Sequence, residues 1–334
     1  MHLIDQSNGQ ENIAYRHDTE ADTPWHGLGQ RLQPGQPLEV WAAAAGLSHS
    51  VSRAAVEYVA TDSCHQMWAD RQVLYRSDTA RPLGIVAPGY KIVQPADVLK
   101  FFEELSQDNN FTLETAGSLD GGKRIWALAK VHDGATVVNQ DLVKPYVLLA
   151  TSYDGTMATT ARFTTVRVVC QNTLSAADRQ GGEAIRIAHS QDFDASKVRV
   201  DLGIVHNAFE VFMHNAKLLA SKQVNATFAT AFLKQLLPAP VKTFISASGQ
   251  RVVTPQPIED SRAYKAIMAL FDGEALGHGL QESTGTAWGL LNACTQYVDW
   301  QRGRNPSTRM SSAWFGTGNA LKSQALSQLV EVCS

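Results

Sequence analysis

Apolar positions recur with a period near two through the first half of the chain and near three and a half through the second. The runs "AAVEYVA" (54–60), "RQVLYRS" (71–77) and "PLGIVAPGYKIV" (82–93) are short, rich in β-branched and aromatic residues, and separated by Asp, Ser, Pro and Gly, which predicts three strands. "PADVLKFFEELSQDN" (95–109) follows. Its proline suits a first helical turn, and Val98, Leu99, Phe102 and Leu105 fall on one helical face, so a β-β-β-α unit results. "FTLETAGSLDGGKRIWALAKV" (111–131) reads as two strands around a glycine turn, and "KPYVLLATSYDGTMATTARFTTVRVVC" (144–170) as two longer strands around Asp154-Gly155.

After Gly181-Gly182 the rhythm changes. "SKVRVDLGIVHNAFEVFMHNAKLLASK" (196–222) sets Leu202, Val205, Phe209, Phe212, Ala216 and Leu219 in one apolar stripe, predicting a long helix. Four more helices are expected in 225–237, 261–273, 286–303 and 318–332, with a proline-rich surface loop around "VVTPQPIED" (252–260). The predicted class is α+β: an antiparallel sheet with a β-β-β-α core in the first half and a mostly helical second half. Residues 1–37, polar and closed by Gly and Pro, read as an extended arm; 38–190 form the antiparallel α+β core, with a short helix in "LEVWAAAAGL" (38–47), and 191–334 form a helical region packed on it.

Composition fits a globular chain able to bury a substantial core: 334 residues, 44% hydrophobic and 18% charged. With 29 Lys+Arg against 32 Asp+Glu the net charge is −3, which excludes an indiscriminate polycation and requires any anion site to be local. Cys64, Cys170, Cys294 and Cys333 lie too far apart for a zinc ribbon or dithiol motif, which predicts a reduced, cytoplasmic protein. The sequence shows neither a signal-peptide core nor a membrane-spanning apolar run, so no membrane is expected among its partners.

Several motifs are weighed and set aside. "GSLDGGKR" (117–124) carries the spacing of a phosphate loop, but Arg124 stands where Ser or Thr would hold magnesium, and a strand follows where a helix is needed. Cys170, at the end of a Val-Val strand, reads as a small buried hydrophobe rather than a nucleophile. His206, Glu210 and His214 read as a solvated helix face. No catalytic residue, metal or cofactor is assigned.

Charge distribution is more informative. Between Asp154 and Asp178 there is no acid, while Arg162 and Arg167 alternate with threonines; on a regular strand residues five apart face opposite sides, so one of the two arginines should pair with a carboxylate or lie at a subunit boundary. A second acid-free tract from Trp300 to Val330 holds Arg302, Arg304, Arg309 and Lys322 with Trp300, Trp314 and Phe315 interleaved, the combination of phosphate-seeking cations and stacking rings that single-stranded nucleic acid requires. Lys123 and Arg124 add cations at the predicted glycine turn.

The segments "PWHGLG" (24–29), "RPLGIVAPGYKIVQ", "AGSLDGGKRIWALAKV", "VRVVCQNTL", "WGLLNACTQYVDWQRG" and "SAWFGTGNALKSQAL" together resemble the phage/plasmid-like protein family, a domain of unknown function common in prophages and conjugative plasmids. The β-β-β-α order is similar to that of Rad52-like single-strand annealing proteins, which assemble into rings or filaments around a basic groove. The family label carries no established reaction, but a mobile-element origin agrees with the local basic tracts, and the leading expectation is an oligomeric protein of phage or plasmid recombination that binds single-stranded nucleic acid, with Lys123, Arg124, Arg162, Arg167, Arg302, Arg304 and Arg309, chosen from local charge, as phosphate contacts. The alternatives are an enzyme using His26 beside Trp25 as acid or base, and a phage accessory protein that docks on a host protein through Trp300, Trp314 and Phe315.

Overall fold

The structure, a computed structural model, describes residues 6–7, 10–16, 29–61, 63–106, 111–168, 172–174, 184–203, 206–246 and 249–334. The chain forms two compact units, each assembled from discontinuous segments. Unit 1 comprises Met1–Gly134, Lys144–Thr164 and Arg179–Ala208; unit 2 comprises Ala135–Val143, Thr165–Asp178 and Phe209–Ser334.

Unit 1 begins with the short strands β1 (Gln6–Ser7), β2 (Gln10–Glu11), β3 (Ile13–Arg16) and β4 (Gln30–Leu32). Helix α1 (Leu38–Ala44) leads into β5 (Val51–Val59), β6 (His65–Arg76) and β7 (Pro82–Val86), then α2 (Pro95–Ser106), β8 (Thr112–Leu119) and β9 (Arg124–Lys130). The expected β-β-β-α unit is present: β5, β6 and β7 form an antiparallel three-stranded sheet and α2 follows. Of the segment expected as an extended arm, β3 and β4 are instead strands of the larger sheet, because Ile13 and Ala14 are fully buried and β3 pairs with both β4 and β8.

Two long strands belong to both units. β10 (Ala135–Thr136) is followed by β11 (Leu142–Ser152) and β12 (Thr159–Arg167), then β13 (Asn172–Leu174) and β14 (Ile185–Ile187). In unit 1 the sheet order is β12-β11-β9-β8-β3-β4, with β14 against β12; in unit 2, β10 pairs with the first residues of β11 and β13 with the last residues of β12. Helix α2 buries Val98, Leu99, Phe101, Phe102 and Leu105 in one core with Ile125, Ala127 and Leu149 of the sheet. At its start the Asp97 side chain reaches back to accept from the Gln94 N–H at 2.9 Å, one half of a capping box. The Gln94 side chain then extends the edge of β5, accepting from Val51 N at 2.8 Å and donating to Val51 O at 3.0 Å.

Helices α3 (Ala195–Gly203) and α4 (His206–Ser221) cover the segment expected as a long helix, of which residues 204 and 205 lie outside the described residues, and α5 (Ala226–Leu236) is capped by Asn225, whose side chain accepts from Phe228 N. The segment expected as a proline-rich loop is instead a hairpin of β15 (Val241–Ile245) and β16 (Arg251–Pro255). Helices α6 (Arg262–Ala269), α7 (Ala287–Gln296), α8 (Pro306–Phe315) and α9 (Thr317–Cys333) complete unit 2. Every residue of α7 is buried, and its polar side chains are satisfied there: Asn292 donates to Trp288 O, Thr295 to Asn292 O, and Gln296 accepts from Leu276 N. Among the described residues no helix is long and apolar enough to cross a membrane.

Candidate functional site

The β5-β6 hairpin is an exposed feature of unit 1. Its base is anchored by Val51 and Leu74, both buried, and by Arg76, 5% exposed. Toward the tip the side chains emerge into solvent: Tyr58, Val59, Met67 and Trp68 are all exposed. The register explains the change. Val51 to Ala55 pair with Arg76 to Gln72 in steady steps, and then Glu57 pairs with Met67, leaving Val56 opposite the four residues 68–71. That irregularity is a bulge larger than the common two-against-one kind, and a bulge re-aims side chains and twists the ribbon. Within the bulge the guanidinium of Arg71 lies over the Trp68 ring, 5.3 Å from its centroid. A cation and a large π-face are thus presented together on an element that buries neither.

At the foot of the hairpin lies an open groove of about 630 Å³, lined by Arg53, Tyr75, Lys91, Gln94 and Phe193 among others. Arg53 is braced there by the carbonyls of Pro88 and Tyr90 at 3.3 and 3.2 Å, and Lys91 pairs with Asp192 at 3.1 Å. The hairpin also carries acids: Glu57 lies 3.7 Å from His65, and Asp70 is exposed.

The cations expected as phosphate contacts are divided between the units, with Lys123, Arg124 and Arg162 in unit 1 and Arg167, Arg302, Arg304 and Arg309 in unit 2. Lys123 and Arg124 follow a turn through Asp120, Gly121 and Gly122, all at positive φ. The glycines are required for space as well as conformation, since a β-carbon on Gly121 would collide with the Arg81 guanidinium that lies across the turn. Arg124 reaches Thr156 Oγ1 at 3.3 Å. Arg162 stands on β12 two residues from Thr160, the partner of Arg186 on β14; burial first, and the Arg186 guanidinium second, lower its pKa to about 10.

Arg167 is not available to phosphate, a correction to the expectation above. It is 3% exposed, its Nε lies 2.7 and 3.0 Å from the two Asp141 oxygens, and one terminal nitrogen donates to Ser283 Oγ at 2.7 Å. Trp288 Nε1 donates to Asp141 Oδ2 at 2.8 Å and the Trp288 ring lies 5.8 Å from the guanidinium carbon. Arg167 is therefore the arginine of the pair that meets a carboxylate, as strand alternation requires of one of them.

Arg302 and Arg309 come together in unit 2, where they brace the chain around α8. Arg302 donates to Thr317 O and Oγ1 at 3.3 and 3.0 Å, and Arg309 Nε donates to Arg302 O at 3.1 Å. Arg304 is exposed. Trp314 is 4% exposed and packs edge-to-face on Phe315, so it offers no stacking face to a base. Trp25, His26 and Cys170 lie outside the described residues.

A second buried ionic cluster lies elsewhere in unit 2. Lys322 Nζ donates to Asp299 Oδ1 and to Thr173 Oγ1, both at 2.7 Å, and Asp299 Oδ2 accepts from Thr173 N at 2.7 Å. This closed set of bonds uses its own polar groups and ties β13 to α9, a structural arrangement.

Sequence reasoning missed Tyr58, Met67, Trp68 and Arg71. The available signal is the placement of Met and Trp within the polar stretch "TDSCHQMWADR", between the two runs that alternation marks as strands, where apolar side chains have no apolar neighbours to bury them. The family model of a domain of unknown function (DUF932) matches residues 82–314, from the first residue of β7 into α8. No curated protein and no solved structure matches the chain.

Proposed function

The chain belongs to the family of a domain of unknown function, DUF932, and we propose that it binds single-stranded nucleic acid through the β5-β6 hairpin and the groove at its foot. The observation that carries this reading is Arg71 stacked over Trp68 on an exposed ribbon. Every base has a π-face, so a solvent-facing Trp and Tyr accept bases without regard to sequence, at about 1–3 kcal/mol per stacked base. Arg71 beside the ring, with Arg53 and Lys91 at the groove, supplies positive charge for the phosphates that accompany the bases. Lys123 and Arg124 extend the set of unit-1 cations.

The β5-β6-β7-α2 order and the resemblance to phage/plasmid-like proteins support a role in the recombination of mobile elements, carried out by an oligomer. Fold order alone does not fix function, and the hairpin chemistry supports the nucleic-acid contact rather than the recombination role.

The test is fluorescence anisotropy with a labelled oligothymidylate at low and at raised salt. The expected result is binding that falls steeply with salt, and a loss of about ten-fold in Trp68→Ala, whose exposed side chain contributes little to folding. Absence of binding at low salt overturns the proposal.

A further inference from the structure

The β15-β16 hairpin in unit 2 forms a two-stranded sheet of its own, with no third strand among the described residues. Its base is closed by Gln256 N donating to Pro240 O at 2.8 Å, and its turn by Ser246 N donating to Gln250 O at 2.8 Å. All of β15 is exposed, with Val241 at 60%, Phe244 at 48% and Ile245 at 76%, and Val253 on β16 is 52% exposed. A lone ribbon with this much apolar surface is marginal in water and calls for a partner.

The register sorts its side chains. Lys242 pairs with Thr254 and Phe244 with Val252 on one face; Ile245 pairs with Arg251 and Thr243 with Val253 on the other. Each face therefore carries one cation beside apolar groups: Lys242 with Phe244 and Val252, and Arg251 with Val241, Ile245 and Val253. The tract of sequence that carries it is of one sign: between Glu210 and Glu259 there is no Asp or Glu and there are five cations, Lys217, Lys222, Lys234, Lys242 and Arg251. Lys234 pairs with Glu259 at 3.0 Å, whereas Lys242 and Arg251 meet no carboxylate among the described residues.

These features select the occupant. A second copy docking ribbon to ribbon would bring Lys242 and Arg251 against their own equivalents with no acid in either ribbon, and like charges across a contact are unfavourable. Neither face could enter a lipid bilayer without carrying a cation with it. A polyanion whose charges alternate with flat apolar groups satisfies both: phosphates meet Lys242 and Arg251, and bases meet Phe244 and Ile245. Two-stranded ribbons and apolar wedges are established ways of gripping nucleic acid.

We propose that β15-β16 is a nucleic-acid-gripping arm, a second contact in unit 2 additional to the β5-β6 hairpin of unit 1. This assignment rests on the nucleic-acid reading given above. Its test compares the full chain with Lys242→Glu/Arg251→Glu, with Phe244→Ala and with Trp68→Ala, using labelled oligothymidylate over a salt series and circular dichroism to confirm the fold. The charge-reversed variant should bind at least ten-fold more weakly, with a log–log salt slope shallower by about one to two units. Photo-cross-linking of iododeoxyuridine strands should place adducts in the 241–255 peptide, and should still do so in Trp68→Ala. Unchanged affinity and slope in Lys242→Glu/Arg251→Glu, alongside weakened binding in Trp68→Ala, overturns the arm and leaves the nucleic-acid reading standing. Failure of the unaltered chain to bind overturns that reading. Cosedimentation with phosphatidylglycerol vesicles that is lost in Lys242→Glu/Arg251→Glu, with no oligonucleotide binding, overturns the arm in favour of a lipid surface.

Discussion

Lys322 Nζ lies 2.7 Å from Asp299 Oδ1, with 1% of one side chain and none of the other exposed. Burial pushes the Asp299 carboxyl above the usual carboxylate range, and the Lys322 ammonium and the Thr173 bonds pull it back. Such a pair costs much of its attraction in desolvation, so its removal as a whole is tolerated far better than the removal of one partner. Lys322→Met should destabilise the protein by about 3–5 kcal/mol in urea unfolding, and adding Asp299→Leu should recover part of that loss. In Lys322→Met the Asp299 pKa rises further above its unfolded value. A group raised on folding adds stability at low pH and loses it as pH rises, so the variant's deficit should shrink as the solution is acidified.

Arg167 and Arg304 separate structure from surface. Arg167→Gln leaves Asp141 buried without its cation and should cost about 3–5 kcal/mol, with little direct effect on the salt slope of binding. Arg304→Gln changes an exposed side chain and should stay within about 0.5 kcal/mol of the parent. Chemical denaturation of the two variants side by side checks both.

Gly289 sits in the first turn of α7, where its N–H donates to the Thr286 hydroxyl at 3.0 Å. A β-carbon there would overlap the Ser283 carbonyl oxygen, which is backbone and has little freedom to retreat. Gly289→Ala should therefore destabilise by about 3 kcal/mol despite alanine's better helix propensity, whereas Gly89→Ala, with open space around it, serves as the tolerant control. Thermal melts followed by circular dichroism give the comparison.

Arg76 grips Asp78 with Nε at 3.0 Å and a terminal nitrogen at 2.8 Å, and this hydrogen-bonded fork holds the Asp78 carboxyl down at about 2. A carboxyl depressed on folding gives stability that is complete above its unfolded value near 3.8 and is lost as pH falls toward 2. Because Asp78 is partly exposed, solvent screening limits the contribution to about 1 kcal/mol. Asp78→Asn should lower stability by that amount at neutral pH and converge on the parent near the acid end of a denaturation series.

Much of the fold could be read from periodicity, because periodicity reports burial directly. Val98, Leu99, Phe102 and Leu105 mark the buried face of α2, and the Asp-Gly-Gly turn between β8 and β9 sits where its residues demand positive φ. Long-range pairings were not legible in this way. Alternation predicts that Arg162 and Arg167 diverge, yet nothing local says that Arg167 is the inward one; its partners Asp141 and Ser283 stand 26 residues before it and 116 after it. The exposure of Trp68 was hidden because the bulge breaks the alternation that would have shown where it points. Helix α8 escaped notice although Asn305-Pro306 spells a capped helix start, with the Asn305 side chain accepting from Thr308 N at 2.8 Å.

The interleaved units impose an order on synthesis and a limit on dissection. Unit 2 opens at Ala135 while unit 1 closes only at Ala208, so β11 and β12 are shared by both. Any single cut placed between those two residues severs both bodies at once, and a nascent chain cannot complete the first body until residues belonging to the second have already left the ribosome.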